Sequence, residues 1–152
     1  VNTYAGHPVA SAAALTTLRI IDDEGLVENA AVRESELRRR LIEIGGESPW
    51  TTRTSVIGLL GSLEFVLPDD VDAEHFRAML WHQSYEHGVV VRVTRAAQVV
   101  SVFFYPALVI TEPQMNEALD KVAAAVRYVT AMTLTPEGAR TPAKEPELAA
   151  SV

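Results

Sequence analysis

Three histidines fall close together in the sequence, at positions 75, 82 and 87, and histidine is the commonest side-chain ligand for a transition metal. A helical zinc clamp sets two imidazoles at i and i+4, whereas His75, His82 and His87 are seven and five residues apart. At most the first two share a helix face, so they read as surface histidines and no metal site is expected. Cysteine is absent, which removes disulfide and thiolate chemistry. The two lysines lie in a late amphipathic stretch (Lys121) and in a proline-rich tail (Lys144). That leaves the opening stretch "TYAGHP", residues 3–8, where a hydroxyl, a glycine and an imidazole precede a proline suited to a first helical turn. On its residues alone Thr3 reads as a helix cap and His7 as structural.

Positioning any of these groups requires a core, and 152 residues with 48% hydrophobic content suit one core rather than two. The net charge of −7, the pI near 5.0 and basic residues scattered apart from "RRR" at 38–40 leave no footprint for nucleic acid or an anionic membrane. Local sites for small anions stay open. No apolar run reaches the roughly 18–20 residues of a membrane span, and no secretory leader is visible. The lack of cysteine fits a reducing compartment, so the expected location is cytoplasmic.

Pro8 and the apolar positions Ala12, Leu15, Leu18 and Ile21 predict a helix from about residue 8. Gly25 is placed to end it, and Leu26, Ala30, Leu37, Leu41 and Ile44 mark a second amphipathic helix. Glu34–Arg38 and Glu36–Arg40 are expected ion pairs on its solvent face, which makes "RRR" a solvated surface rather than a binding patch. The run "SVIGLLGSLEFV", Ser55 to Val66, predicts one largely buried strand thinned by Gly58 and Gly61. Asp70 and Asp72 supply capping and first-turn acid for a helix carrying Phe76, Met79, Leu80 and Tyr85, stopped by Gly88. Two short strands, "VVVRV" and "VVSVFF", are joined by "TRAAQ" and ended by Pro106. A capping box from Thr111 to Gln114 then opens a helix to about residue 131, and "TLTPEGARTPAKEPELAASV" reads as a disordered tail.

The expected fold is α+β: long N-terminal helices followed by a small, mostly antiparallel sheet with helices packed on one face. Its divisions are a helical segment over 1–45, an α+β domain over 46–132 and a tail over 133–152. Many functions live on such layers, so the site must decide between them.

The stretch "TYAGHP" followed by a small-residue helix resembles the corresponding segment of class III aminotransferases, the fold-type-I enzymes that depend on pyridoxal phosphate. The resemblance continues through "AAAL", "IIDDEGL", "ENA", "GLLGSLEF", "HGVVVR" and "YPALVITEPQMNEALDKV", in the family's order, from residue 2 to about residue 130. It implies that the chain is the C-terminal part of a longer enzyme, comprising the end of the cofactor-binding domain and then the small domain. It further implies pyridoxal 5'-phosphate as cofactor, an amino donor and a keto acceptor as substrates, and a homodimer. The family's Schiff-base lysine and the aspartate facing the pyridinium nitrogen lie upstream of "TYAGHP", and neither Lys121 nor Lys144 matches. The chain alone is therefore expected to be inactive, with no catalytic residue of its own.

Two site residues follow from the same resemblance. Thr3 matches the threonine that donates to the cofactor phosphate of the neighbouring subunit, a role consistent with open donors near a helix start. Arg92, after "GVVV", matches the arginine that grips a substrate carboxylate through two parallel hydrogen bonds. Arg95 competes with Arg92 by its distance to Pro106, and an arginine snorkelling to solvent is the plain alternative. A different class of function is a non-catalytic module for dimerisation or small-ligand binding.

Overall fold

The computed structural model describes residues 6–134; Thr3 lies outside them, as does the tail expected over 133–152 except for its first two residues, of which Thr133 is instead a buried residue of the last helix and Leu134 its C-cap. Pro8 occupies the first helical position, where its missing N–H is harmless, and α1 runs Pro8–Asp23. Gly25 takes the left-handed conformation at φ 61°, and α2 follows directly as Leu26–Gly45. Leu26, Leu37, Leu41 and Ile44 of α2 are buried. The similar stripe of α1 finds no such cover, since none of its residues is buried against the described chain.

The run expected to be one strand from Ser55 to Val66 is instead a hairpin. Strands β1 (Thr51–Ile57) and β2 (Leu60–Val66) pair antiparallel with Ile57 opposite Leu60. Gly58, at φ 54°, makes the two-residue connection possible. The turn is braced from α2: Glu34 accepts the Gly58 N–H at 2.8 Å and Arg38 donates to the Val56 carbonyl at 2.6 Å. Helix α3 (Ala73–Glu86) begins at Asp72, whose carboxylate accepts from the Glu74 and His75 N–H groups, and Gly88 at φ 78° follows its end.

The next two strands also differ from expectation at their boundaries. The Val89 N–H donates to the Ser84 carbonyl at 2.9 Å, which uses that valine to close α3. Strand β3 therefore starts at Arg92 and runs to Ala96, taking up most of "TRAAQ". Only Ala97 and Gln98 connect it to β4 (Val99–Phe104), with Ala97 at φ 52°. Helix α4 (Glu112–Thr133) opens on the capping box of Thr111 and Gln114.

The sheet order is β1-β2-β4-β3 and every neighbouring pair is antiparallel. Alternate residues of its strands, among them Leu63, Phe65, Val100 and Val102, are buried on one face. Helices α2 and α3 lie on that face, and α4 packs on both of them. A Cβ on Gly61 would come within 2.4 Å of Leu41 Cδ1, which shows how closely α2 approaches β2. Phe76 of α3 meets Phe65 with ring centroids 5.6 Å apart and Trp50 at 5.8 Å; such aromatic pairs contribute about 0.5–1.5 kcal/mol each beyond burial.

The solvent face of α2 carries a smaller correction. Arg38 pairs with Glu34 at 2.8 Å as expected, but Glu36 is held by Arg39 at 2.6 Å. Arg40 instead crosses to Asp120 on α4 and ties the two helices together.

Candidate functional site

Alternation along β3 sends neighbouring side chains to opposite faces. Val93 and Arg95 belong to the helix-covered face. Arg95 is fully committed there: its Nε donates to Glu74 Oε2 at 2.9 Å and a terminal nitrogen donates to the Ala97 carbonyl at 3.1 Å. Glu74 also accepts from Arg77, and this bond, with Arg95 adding to it, holds the Glu74 carboxyl below its usual value of 4.5.

Arg92 and Thr94 project from the other, open face. Arg92 stands opposite Phe103, Phe103 opposite Ser62, and Ser62 opposite Ser55, which makes one row across all four strands. The adjacent row is Arg53, Glu64, Ser101 and Thr94. Among the described residues Arg92 has no hydrogen-bond or ion-pair partner. A free guanidinium on an accessible sheet face can accept a carboxylate in bidentate fashion.

The start of α1 has a different character. His7 is its N-cap without a side-chain bond to the helix, and the first turn holds no acidic residue. Gly6 has a φ of 82° and open space where a Cβ would lie. Uncapped first-turn donors of this kind fit the phosphate end of a cofactor. Among the elements α1 touches only α2, so its start and Arg92 belong to separate parts of the chain.

The remaining candidates are occupied or dispersed. Lys121 donates to Glu117 at 2.7 Å on α4, an ordinary i,i+4 surface pair. His82 and His87 are exposed and His75 is half-buried. Among the described residues no group of three His, Asp or Glu is gathered to hold a metal ion, and no helix is long and apolar enough to cross a membrane.

Two features went unread in the sequence. Phe103 faces Arg92, whereas Phe104 is in the core; the alternation of "VVSVFF" carried that signal. Asn29 donates to the carbonyls of Leu108 and Ile110 at 2.6 and 3.1 Å, and Arg33 donates to the Ile110 carbonyl and to Asn29 Oδ1. This clamp fixes the loop after β4, and no local pattern announces bonds that span about eighty residues.

The fold and site define an α+β layer whose helices cover one sheet face and whose other face carries Arg53 and Arg92, two cations without an ion-pair partner among the described residues. The chain belongs to the class III aminotransferases, matching the family described as "Aminotransferase class-III" over residues 1–126. It is 34% identical over 120 residues to an isoleucine 2-epimerase of Lentilactobacillus buchneri, covering 77% of this chain and 26% of that protein. It is 30% identical over 143 residues to a diaminobutyrate–2-oxoglutarate transaminase of Halomonas elongata, covering 90% of this chain and 30% of the relative. Its fold is similar to that of a thermostable (S)-enantioselective omega-transaminase from Thermomicrobium roseum, with TM-score 0.74 and 30% identity over 85% of this chain and 29% of that one. The chain thus spans less than a third of the length of these relatives. Enzymes of the family depend on pyridoxal phosphate.

Proposed function

We propose that this chain is the C-terminal part of a transaminase that moves an amino group from an amino donor to a keto acid or aldehyde. Residues 1–45 form the connecting helical segment and 46–132 the small domain, whose core α2 joins. Pyridoxal 5'-phosphate, when bound, supplies an electron sink to the carbon that bears the amine. The chain's own part is binding and orientation. Thr3 and the first-turn N–H groups of α1 hold the phosphate, across a homodimer interface, and Arg92 holds the substrate carboxylate. The observation that carries the second assignment is that the Arg92 side chain has no partner among the described residues while Arg95 is bound to Glu74.

The amine that holds the cofactor comes from outside this chain, since neither Lys121 nor Lys144 matches the family's Schiff-base lysine and Lys121 is a surface lysine paired with Glu117. The 152-residue chain alone is then inactive. The whole protein that carries it, loaded with cofactor and given an amino acid and a keto acid, should form the new amino acid, while the chain alone should form none. The relative named as an isoleucine 2-epimerase favours a second reading, inversion at the carbon bearing the amine. Inversion without transfer to any keto acceptor would select it. Turnover by the 152-residue chain would overturn both.

A further inference from the structure

The floor around Arg92 is asymmetric. Its cross-strand partner Phe103 is half-buried and the largest side chain of its row, while Ser55 and Ser62 continue that row with short hydroxyls. Directly opposed side chains of an antiparallel pair have their Cβ atoms about 4.5–5.5 Å apart, so guanidinium and phenyl ring are immediate neighbours in one patch of the open face. Thr94 and Ser101 form its near edge, also with short side chains. Tyr105, two residues beyond Phe103, is exposed just past the end of β4.

Charge on the face is graded as well. Glu64 and Arg53 are the ionisable groups of the neighbouring row and stand opposite each other on β2 and β1, with β4 between them and β3. Among the described residues the side chains of Arg53 and Arg92 are both unpaired; a carboxylate at Arg53 would lie beside Glu64, a like charge, whereas one at Arg92 on the β3 edge would lie two strands away from it. A carboxylate held at Arg92 would stay clear of Glu64 and leave the body of its ligand near Phe103.

From this juxtaposition we infer that Phe103 is a specificity-determining residue that selects carboxylates with an apolar body, such as amino acids with branched aliphatic or aromatic side chains, over short or charged ones. The inference rests on the reading of Arg92 as the carboxylate grip. Phe103 supplies no charge and no proton; it supplies apolar area to one class of ligand. A carboxylate of one or two carbons would reach Arg92 without covering the ring, and a dicarboxylate would carry its second charge over it.

The test uses carboxylates that lack an amine and so cannot react, with binding to the cofactor-loaded whole protein that carries this chain measured by calorimetry. 4-Methylpentanoate should bind at least about tenfold more tightly than acetate, on the scale that an apolar pocket assigns to added methylenes. Phe103→Thr, which keeps a strand-forming residue, should reduce that preference to within about twofold while leaving acetate affinity unchanged. Arg92→Gln should weaken both carboxylates together and keep their ratio. Equal affinity for the two in the parent, or a preference that survives in Phe103→Thr, overturns the inference and leaves the Arg92 reading standing. Unchanged affinity for both in Arg92→Gln overturns the reading of Arg92 itself. Circular dichroism melting of both variants verifies that each loss is read on a folded protein.

Discussion

The Nε of Arg95 donates to Glu74 Oε2 at 2.9 Å, and this one bond separates two arginines that lie three residues apart on the same strand. An odd separation sends them to opposite faces. Arg95 anchors β3 to the first turn of α3, whereas the Arg92 side chain, opposite Phe103, has no anchor among the described residues.

The pair should therefore respond differently to truncation. In the whole enzyme, Arg92→Ala should raise the Michaelis constant for carboxylate-bearing amino acids and spare amines without a carboxylate, a loss in specificity of about 2–4 kcal/mol. Arg95→Ala removes a half-exposed ion pair, and its effect should be confined to stability at about 0–1 kcal/mol. A selective kinetic defect in Arg95→Ala would reverse the assignment, and small equal effects would remove both arginines from the site.

Gly61 offers a test of the packing between β2 and α2. An added Cβ would sit 2.4 Å from Leu41 Cδ1 and 3.5 Å from Leu37 Cδ2, both from buried side chains. Gly61→Ala should destabilise by about 1–3 kcal/mol, the usual range for overpacking. Leu41→Ala creates a cavity at the same place, so the double variant should be less destabilised than the sum of the two. Additivity in urea unfolding would mean that β2 shifts to accept the methyl group.

Much of this fold was legible because its signals are local. Pro8, Asp72 and the Thr111–Gln114 box are read from a few neighbouring residues, and each starts a helix where expected. The β1–β2 hairpin was not, because Thr51–Thr54 carry little apolar signal on an edge strand and Gly58 sits inside what looks like one apolar run. The Glu36 partner was missed because i+3 and i+4 arginines are both present and geometry chooses between them. Of the candidate site, Arg92 was visible through its motif, but its freedom was not. That depends on which residues of β3 fall on the open face, away from Glu74, and the strand boundary that decides it differs from the one the sequence suggests.

The hairpin brace should show in the pH dependence of stability. Glu34 accepts the Gly58 N–H, and this bond first, with Arg38 second, holds its carboxyl below the usual 4.5. A carboxylate with a lowered folded pKa stabilises above its unfolded value, and that contribution is lost as pH falls through the folded one. Glu34→Gln keeps an acceptor but loses the charge. The parent should exceed it in urea midpoint at about pH 7, and the gap should close toward about pH 3. A gap of equal size at both values would show that the brace acts through packing instead.

Thr3 and the start of α1 give the remaining prediction, which concerns the cofactor. The described part of that element has an uncapped first turn without acidic residues, so its N–H groups are suited to an anion. A hydroxyl at Thr3 adds a hydrogen bond to a dianionic phosphate, and bonds to charged groups are worth about 1–3 kcal/mol. In the whole enzyme Thr3→Ala should thus weaken retention of pyridoxal phosphate by about 5- to 150-fold, measured by absorbance after dialysis, with turnover per bound cofactor falling less. The 152-residue chain mixed with the cofactor should keep none through dialysis, because phosphate contacts alone lack the covalent hold of a poised amine and Lys121 is engaged by Glu117 on the surface of α4. Retention unchanged by Thr3→Ala with activity reduced would remove Thr3 from the phosphate site; His7, not Thr3, is the N-cap of α1. Stoichiometric retention by the chain alone would place a reactive amine within these residues, and borohydride reduction followed by peptide mapping would identify it as Lys121, Lys144 or the N-terminus.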